Sequence, residues 1–177
     1  MNEESFHWFA LKVFYNKVLA IASALKEMSV ESYYPVRVVE KEHNGIKKVE
    51  KVPAVSSLLF FHSTVSQATD IEKHFKNRVI LYKYRSSKTP AIIPDGEMKV
   101  FQLVTSANTE GLEYMDADAV NFKTGQHVHV TGGVFEGADG YIKRIRGNKR
   151  LVIAIEGIVA VATTYIPSCF LEKIEDF

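Results

Sequence analysis

His127 and His129 stand two residues apart between Val128 and Val130. Side chains two apart on a strand share one face, so the pair is the start of a metal site. Such a site needs further ligands, and His7, His43, His62, His74 and Cys169 are scattered along the chain. The expectation is two exposed strand histidines and no metal. Covalent chemistry has no firmer footing. Ser56-Ser57 lacks the glycines of a nucleophile elbow, and no glycine-rich loop is followed by Lys-Ser or Lys-Thr. The sequence predicts a protein that binds rather than catalyses, without a cofactor.

Non-covalent chemistry has more candidates. Lys47, Lys48 and Lys51 can contact nucleic-acid phosphates, or can keep a solvated hairpin soluble and guard a sheet edge. Lys143, Arg144, Arg146, Lys149 and Arg150 gather around a second hairpin and can touch RNA. Phe60, Phe61, Tyr33, Tyr34, Tyr82 and Tyr84 can form a docking stripe. Neighbouring strand residues point to opposite faces, so one of each adjacent pair is expected in the core and the other against a helix or a partner.

Composition limits the classes open to the chain. Its 177 residues are 46% hydrophobic and 24% charged, enough apolar surface to offset the entropy of ordering. Lys+Arg number 22 against 21 Asp+Glu, which excludes a uniformly basic coat and leaves only local basic patches. One cysteine closes no internal disulfide, and Cys169 is expected as a small buried filler. The acidic start lacks the positive region of a signal peptide. The longest apolar stretch, 151–166, is interrupted by Glu156 and is shorter than the roughly 18–20 residues of a membrane span. The expectation is a cytoplasmic protein with no membrane partner.

Pattern and charge divide the chain. Residues 1–106 hold 15 Lys/Arg and 11 Asp/Glu. Residues 107–124 hold Glu110, Glu113, Asp116 and Asp118 with a single lysine, have no clean period around Ala107, Asn108, Thr109 and Gly111, and read as a linker. Residues 125–177 balance six of each sign. In the first part Phe6–Phe14 reads as a strand, and Val18, Ile21, Ala22, Leu25 and Met28 form a helical face capped by Asn16. Strands follow over Glu31–Val39 and Lys47–Phe61, joined by His43-Asn44-Gly45, with Pro53 marking a break or an edge. A helix over Ser66–Phe75, a strand over Val79–Tyr84 and a helix opened by Asp95 with Met98, Phe101 and Val104 complete an α+β domain with a mainly antiparallel sheet. Residues 125–177 show about five short strands with tight turns, which suggests a small closed barrel.

The most specific stretch is Thr131–Ile142, TGGVFEGADGYI. Gly137 and Gly140 permit a sharp turn and a close backbone approach, and Phe135 can anchor the loop. This stretch resembles the KOW motif of SH3-like barrels. Trp8–Val13 leading into a helix, then Tyr33-Tyr34-Pro35, Lys48–Lys51 with Pro53, and Ile92-Ile93-Pro94-Asp95 resemble the N-terminal domain of NusG. The resemblance covers nearly the whole chain and is closest to the specialised UpxY and RfaH group.

The resemblance implies an elongation or antitermination factor. Its N-terminal domain, 1–106, would dock on the clamp helices of the largest subunit of bacterial RNA polymerase, with Lys47, Lys48 and Lys51 placed to meet non-template DNA or nascent RNA. Its barrel, 125–177, would bind a second protein, such as a ribosomal protein or a termination factor. The implied partner-binding residues are Val55, Ser57, Leu58 and Phe60 in the first domain and Phe135, Gly137 and Gly140 in the second. Where the family usually carries an aromatic-Pro-x-Tyr element, this chain has Ala54-Val55-Ser56-Ser57. Docking is then weaker, relies on Leu58 and Phe60, or uses another surface. Two alternatives follow: an RNA- or ribosome-associated KOW protein, and an inhibitor that competes with another NusG-type factor.

Overall fold

The computed structural model describes residues 4–107, 110–116 and 124–175. Asn108, Thr109 and Asp118 of the expected linker, and the first three residues of the acidic start, lie outside them. The chain parts into two compact units, Met1–Asp95 and Gly96–Phe177.

The first unit is built on a four-stranded antiparallel sheet in the order β2-β5-β1-β6, with β1 His7–Val13, β2 Glu31–Tyr33, β5 Leu58–Ser63 and β6 Val79–Leu81. Strand β1 is central because its alternating side chains are apolar on both faces. Phe9, Leu11 and Val13 join Leu59 and Phe61 in a core with Ile21 and Leu25 of α1 (Val18–Glu27) and Ile71 and Phe75 of α2 (Val65–Phe75). Each large side chain so enclosed contributes about 1.5–3 kcal/mol. Ala10, Leu58 and Phe60 sit on the opposite face by the strand period and are buried as well. Both Phe60 and Phe61 are therefore enclosed, where the stripe reading keeps only one of the pair in the core.

Local chemistry explains where the elements begin and end. Thr64 caps α2 by accepting from Gln67 N–H at 3.2 Å. At α1 the capping position falls to Lys17, without a side-chain cap, and not to Asn16. Asn16 instead takes a left-handed conformation, φ +54, in the turn from β1, a region that asparagine tolerates. The expected strand Glu31–Val39 breaks at Tyr34-Pro35, since proline has no N–H for the ladder. Beyond it β3 (Val36–His43) and β4 (Ile46–Pro53) form a separate two-stranded sheet. Asn44 and Gly45, both at positive φ, close it as a two-residue turn.

The second unit opens with nearly all of α3 (Asp95–Ser106), whose Met98, Phe101 and Val104 are buried. A six-stranded antiparallel sheet follows in the order β12-β8-β9-β10-β11-β7. The five expected strands are β8 Gln126–Val130, β9 Asp139–Ile145, β10 Asn148–Ile155, β11 Val159–Ala162 and β12 Leu171–Lys173. The sixth, β7 (Glu113–Met115), lies in the stretch read as a linker and pairs with β11. Three residues are too few to show a period, so the sequence pattern is silent there. Cys169 is exposed, contrary to the buried reading, because it lies in a 3-10 turn, Ser168–Phe170, that buries none of its residues.

Candidate functional site

The residues singled out in the first unit fall in two places. Ala54, Val55, Ser56 and Ser57 form the turn from β4 to β5. Ala54 N–H donates to Pro35 carbonyl and Ser57 carbonyl accepts from Val13 N–H, both at 2.8 Å. The turn is thus held by main chain, and Val55 and Ser57 are half-buried. Leu58 and Phe60 follow directly but are 3% and 0% exposed, so neither offers surface in this structure. Around them the sheet carries a ring cluster at one end. His62 lies 5.1 Å from Trp8 and 5.6 Å from Phe6 between ring centroids, and its Nδ1 is 3.7 Å from Glu31.

The second place is the β3–β4 hairpin. Its register sets Arg37 opposite Val52, Val38 opposite Lys51, Lys41 opposite Lys48 and Glu42 opposite Lys47. The strand period then puts Lys47 and Lys51 on one face and Lys48 on the other. The three lysines read as one group are split. Arg37, Lys41 and His43 share the face of Lys48, a grouping visible only once the register is known.

In the second unit the loop after β8 is shaped by its glycines. Gly137 has φ +91, a conformation strained for any residue with a side chain. A Cβ on Gly140 would sit 2.7 Å from Val152 carbonyl oxygen and 2.9 Å from Leu151 Cδ1, so β9 and β10 meet at a distance only glycine allows. Phe135 is 3% exposed and anchors the loop. These three residues build the loop from within, and its exposed apolar side chain is Val134.

The basic hairpin of the second unit is largely engaged internally. Arg150 donates from Nη1 to Glu113 at 2.8 Å, from Nη2 to Gly111 carbonyl at 2.6 Å, and from Nε to Thr163 carbonyl. Arg146 reaches the other oxygen of Glu113 at 3.0 Å. Lys143 donates to Thr124 Oγ1 at 2.8 Å, and desolvation lowers its pKa from the ordinary 10.5. His127 stacks on Tyr141 with ring centroids 4.6 Å apart, and His129 pairs with Asp139. Among the described residues no group of three or more His, Cys, Asp or Glu side chains could hold a metal. Among them, too, no helix is long and apolar enough to cross a membrane.

The profile of the family described as "Transcription termination factor nusG" matches residues 6–102. No curated protein matches the chain. A solved structure described as "Domain interaction in Thermotoga maritima NusG" is similar at 15% identity, covering 97% of this chain and 98% of that one, with a TM-score of 0.46.

Proposed function

Because the chain belongs to the NusG family of transcription factors, we propose that it is an elongation and antitermination factor that binds RNA polymerase through its first domain and a second protein through its last five strands. The observation that carries the reading is the family match over 6–102, which spans the helix-covered sheet and its hairpin. The expected docking site is the clamp helices of the largest polymerase subunit. Leu58 and Phe60 are enclosed, so the contact surface is made by other side chains, the Ala54–Ser57 turn among them. The order β12-β8-β9-β10-β11, with the glycine loop after β8, supports reading these strands as a KOW domain.

No bond is made or broken in this mechanism, and the protein is not an enzyme. A factor that binds the elongating polymerase better than the paused one shifts the population toward elongation. A difference of about 1.4 kcal/mol changes the ratio tenfold. A protein partner suits the second domain better than RNA, because Arg146, Arg150 and Lys143 are already engaged within the fold.

The test is retention by bacterial RNA polymerase together with pause lifetimes in a transcription assay. Retention with shortened pauses is expected. A chain that is not retained and leaves pausing unchanged would overturn the reading.

A further inference from the structure

Strand β7 forms one end of the six-stranded sheet. It has three residues, Glu113–Met115, all half-buried. Its neighbour β11, Val159–Ala162, has four residues, every one buried. The register pairs β7 with Ala160, Val161 and Ala162 and leaves Val159 beyond its reach. A ladder of three residues at a sheet end belongs to the least protected part of a fold.

Charge does more than the ladder to hold β7. The Glu113 carboxylate receives Arg150 Nη1 at 2.8 Å on one oxygen and Arg146 Nη2 at 3.0 Å on the other. Arg150 Nη2 also donates to Gly111 carbonyl, at 2.6 Å. The Glu113 and Arg150 side chains are 27% and 15% exposed, so this pair is more strongly felt than one in open water. Both arginines come from the β9–β10 hairpin and none from β7 or β11. Two guanidinium groups converging on one carboxylate suit an acid from whichever chain supplies it.

We propose that β7 is a displaceable resident of the β11 edge, which takes in its place an extended segment of another protein that presents a carboxylate to Arg146 and Arg150. An exposed strand edge is a template for such an added strand. The resident shows what the edge selects. Glu113 and Met115 share one face of the pleat and Tyr114 takes the other, so the incoming segment alternates an acid, a large apolar residue and an apolar residue. A segment one residue longer also pairs with Val159, which β7 leaves unused. The inference rests on the reading that the second unit binds a protein, and it names the surface and the chemistry of the partner.

The test uses the full chain and a labelled synthetic peptide with the sequence of residues 110–116. A control peptide carries Glu113→Lys. In the chain itself, Glu113→Arg sets like charges against Arg146 and Arg150 and frees the edge without touching β11. Circular dichroism checks folding, and Glu113→Gln, which keeps the shape and removes only the charge, decides where Glu113→Arg does not fold. Binding is limited by the fraction of open edges, so the peptide is expected to bind the variant at least about tenfold more tightly than wild type. Amide resonances of Val159–Ala162 should shift on titration, and the lysine peptide should bind the variant at least about tenfold more weakly than the acidic one.

No gain in affinity in either variant, equal binding of the two peptides, or shifts confined to other strands would overturn the proposal. So would a wild-type dimer in sedimentation that is lost in Glu113→Gln, since the edge would then belong to a second copy. Polymerase is absent from the assay, so a failed polymerase pull-down leaves its result standing, and a failed titration leaves polymerase binding untouched.

Discussion

Two hairpins of this chain look alike as text and differ as structures. Each is a pair of eight- or seven-residue strands joined by two residues at positive φ, Asn44-Gly45 in one and Arg146-Gly147 in the other, and each is rich in lysine and arginine. Hairpin β9–β10 lies inside a six-stranded sheet, where Glu113 of β7 engages both Arg146 and Arg150. Among the described residues hairpin β3–β4 pairs with no other strand, and Arg37 and Lys48 have no ion-pair partner. Basic residues thus mean different things in the two places. In one, Arg146 and Arg150 fasten the fold, and in the other most of the basic side chains stand exposed.

The contrast can be broken at several depths. The largest effect is expected in native-state hydrogen exchange. Amides of Leu151 and Val152 should exchange only through openings costing at least about 4 kcal/mol more than those that expose Val38 and Val49. Equal protection in the two hairpins would show that β3–β4 is held by something outside its own pairing.

Next in size is Gly140→Val. The new side chain meets Val152 carbonyl oxygen and Leu151, so a loss of about 3 kcal/mol is expected in chemical denaturation. A neutral result would mean that β9 and β10 can separate there without loss. Arg150→Met removes three donors from acceptors that lie partly out of water, at an expected loss of about 2 kcal/mol. The smallest effect belongs to Lys48→Gln in the free hairpin. Stability should change by less than about 0.5 kcal/mol, with a slight gain favoured because Lys41 loses its like-charged neighbour. A loss as large as that of Arg150→Met would erase the distinction between the hairpins.

Much of this fold is legible without coordinates. The helical faces of α1 and α2, the break at Pro53, the Asn-Gly and Arg-Gly turns and the glycine loop before β9 all follow from side-chain period and backbone preference, whereas the break at Pro35 divides a stretch read as one strand. These are local properties, set by residues within one or two turns of each other. Strand β7 was not legible, since three residues carry no period and its pairing with β11 depends on strands formed nearly fifty residues later.

The candidate sites divide the same way. Residue types alone identify a cationic hairpin and a glycine loop. Which lysines act together is a matter of register, because a strand alternates faces and a hairpin's closing turn sets which residues stand opposite. Whether Leu58 and Phe60 meet solvent is a matter of packing, because an apolar side chain is the same in sequence whether it faces a core or a partner. Composition and spacing determined what kinds of contact this chain can make. Tertiary structure decided which of its charged and apolar groups are already satisfied within the fold, since burial and pairing depend on neighbours that are distant along the chain.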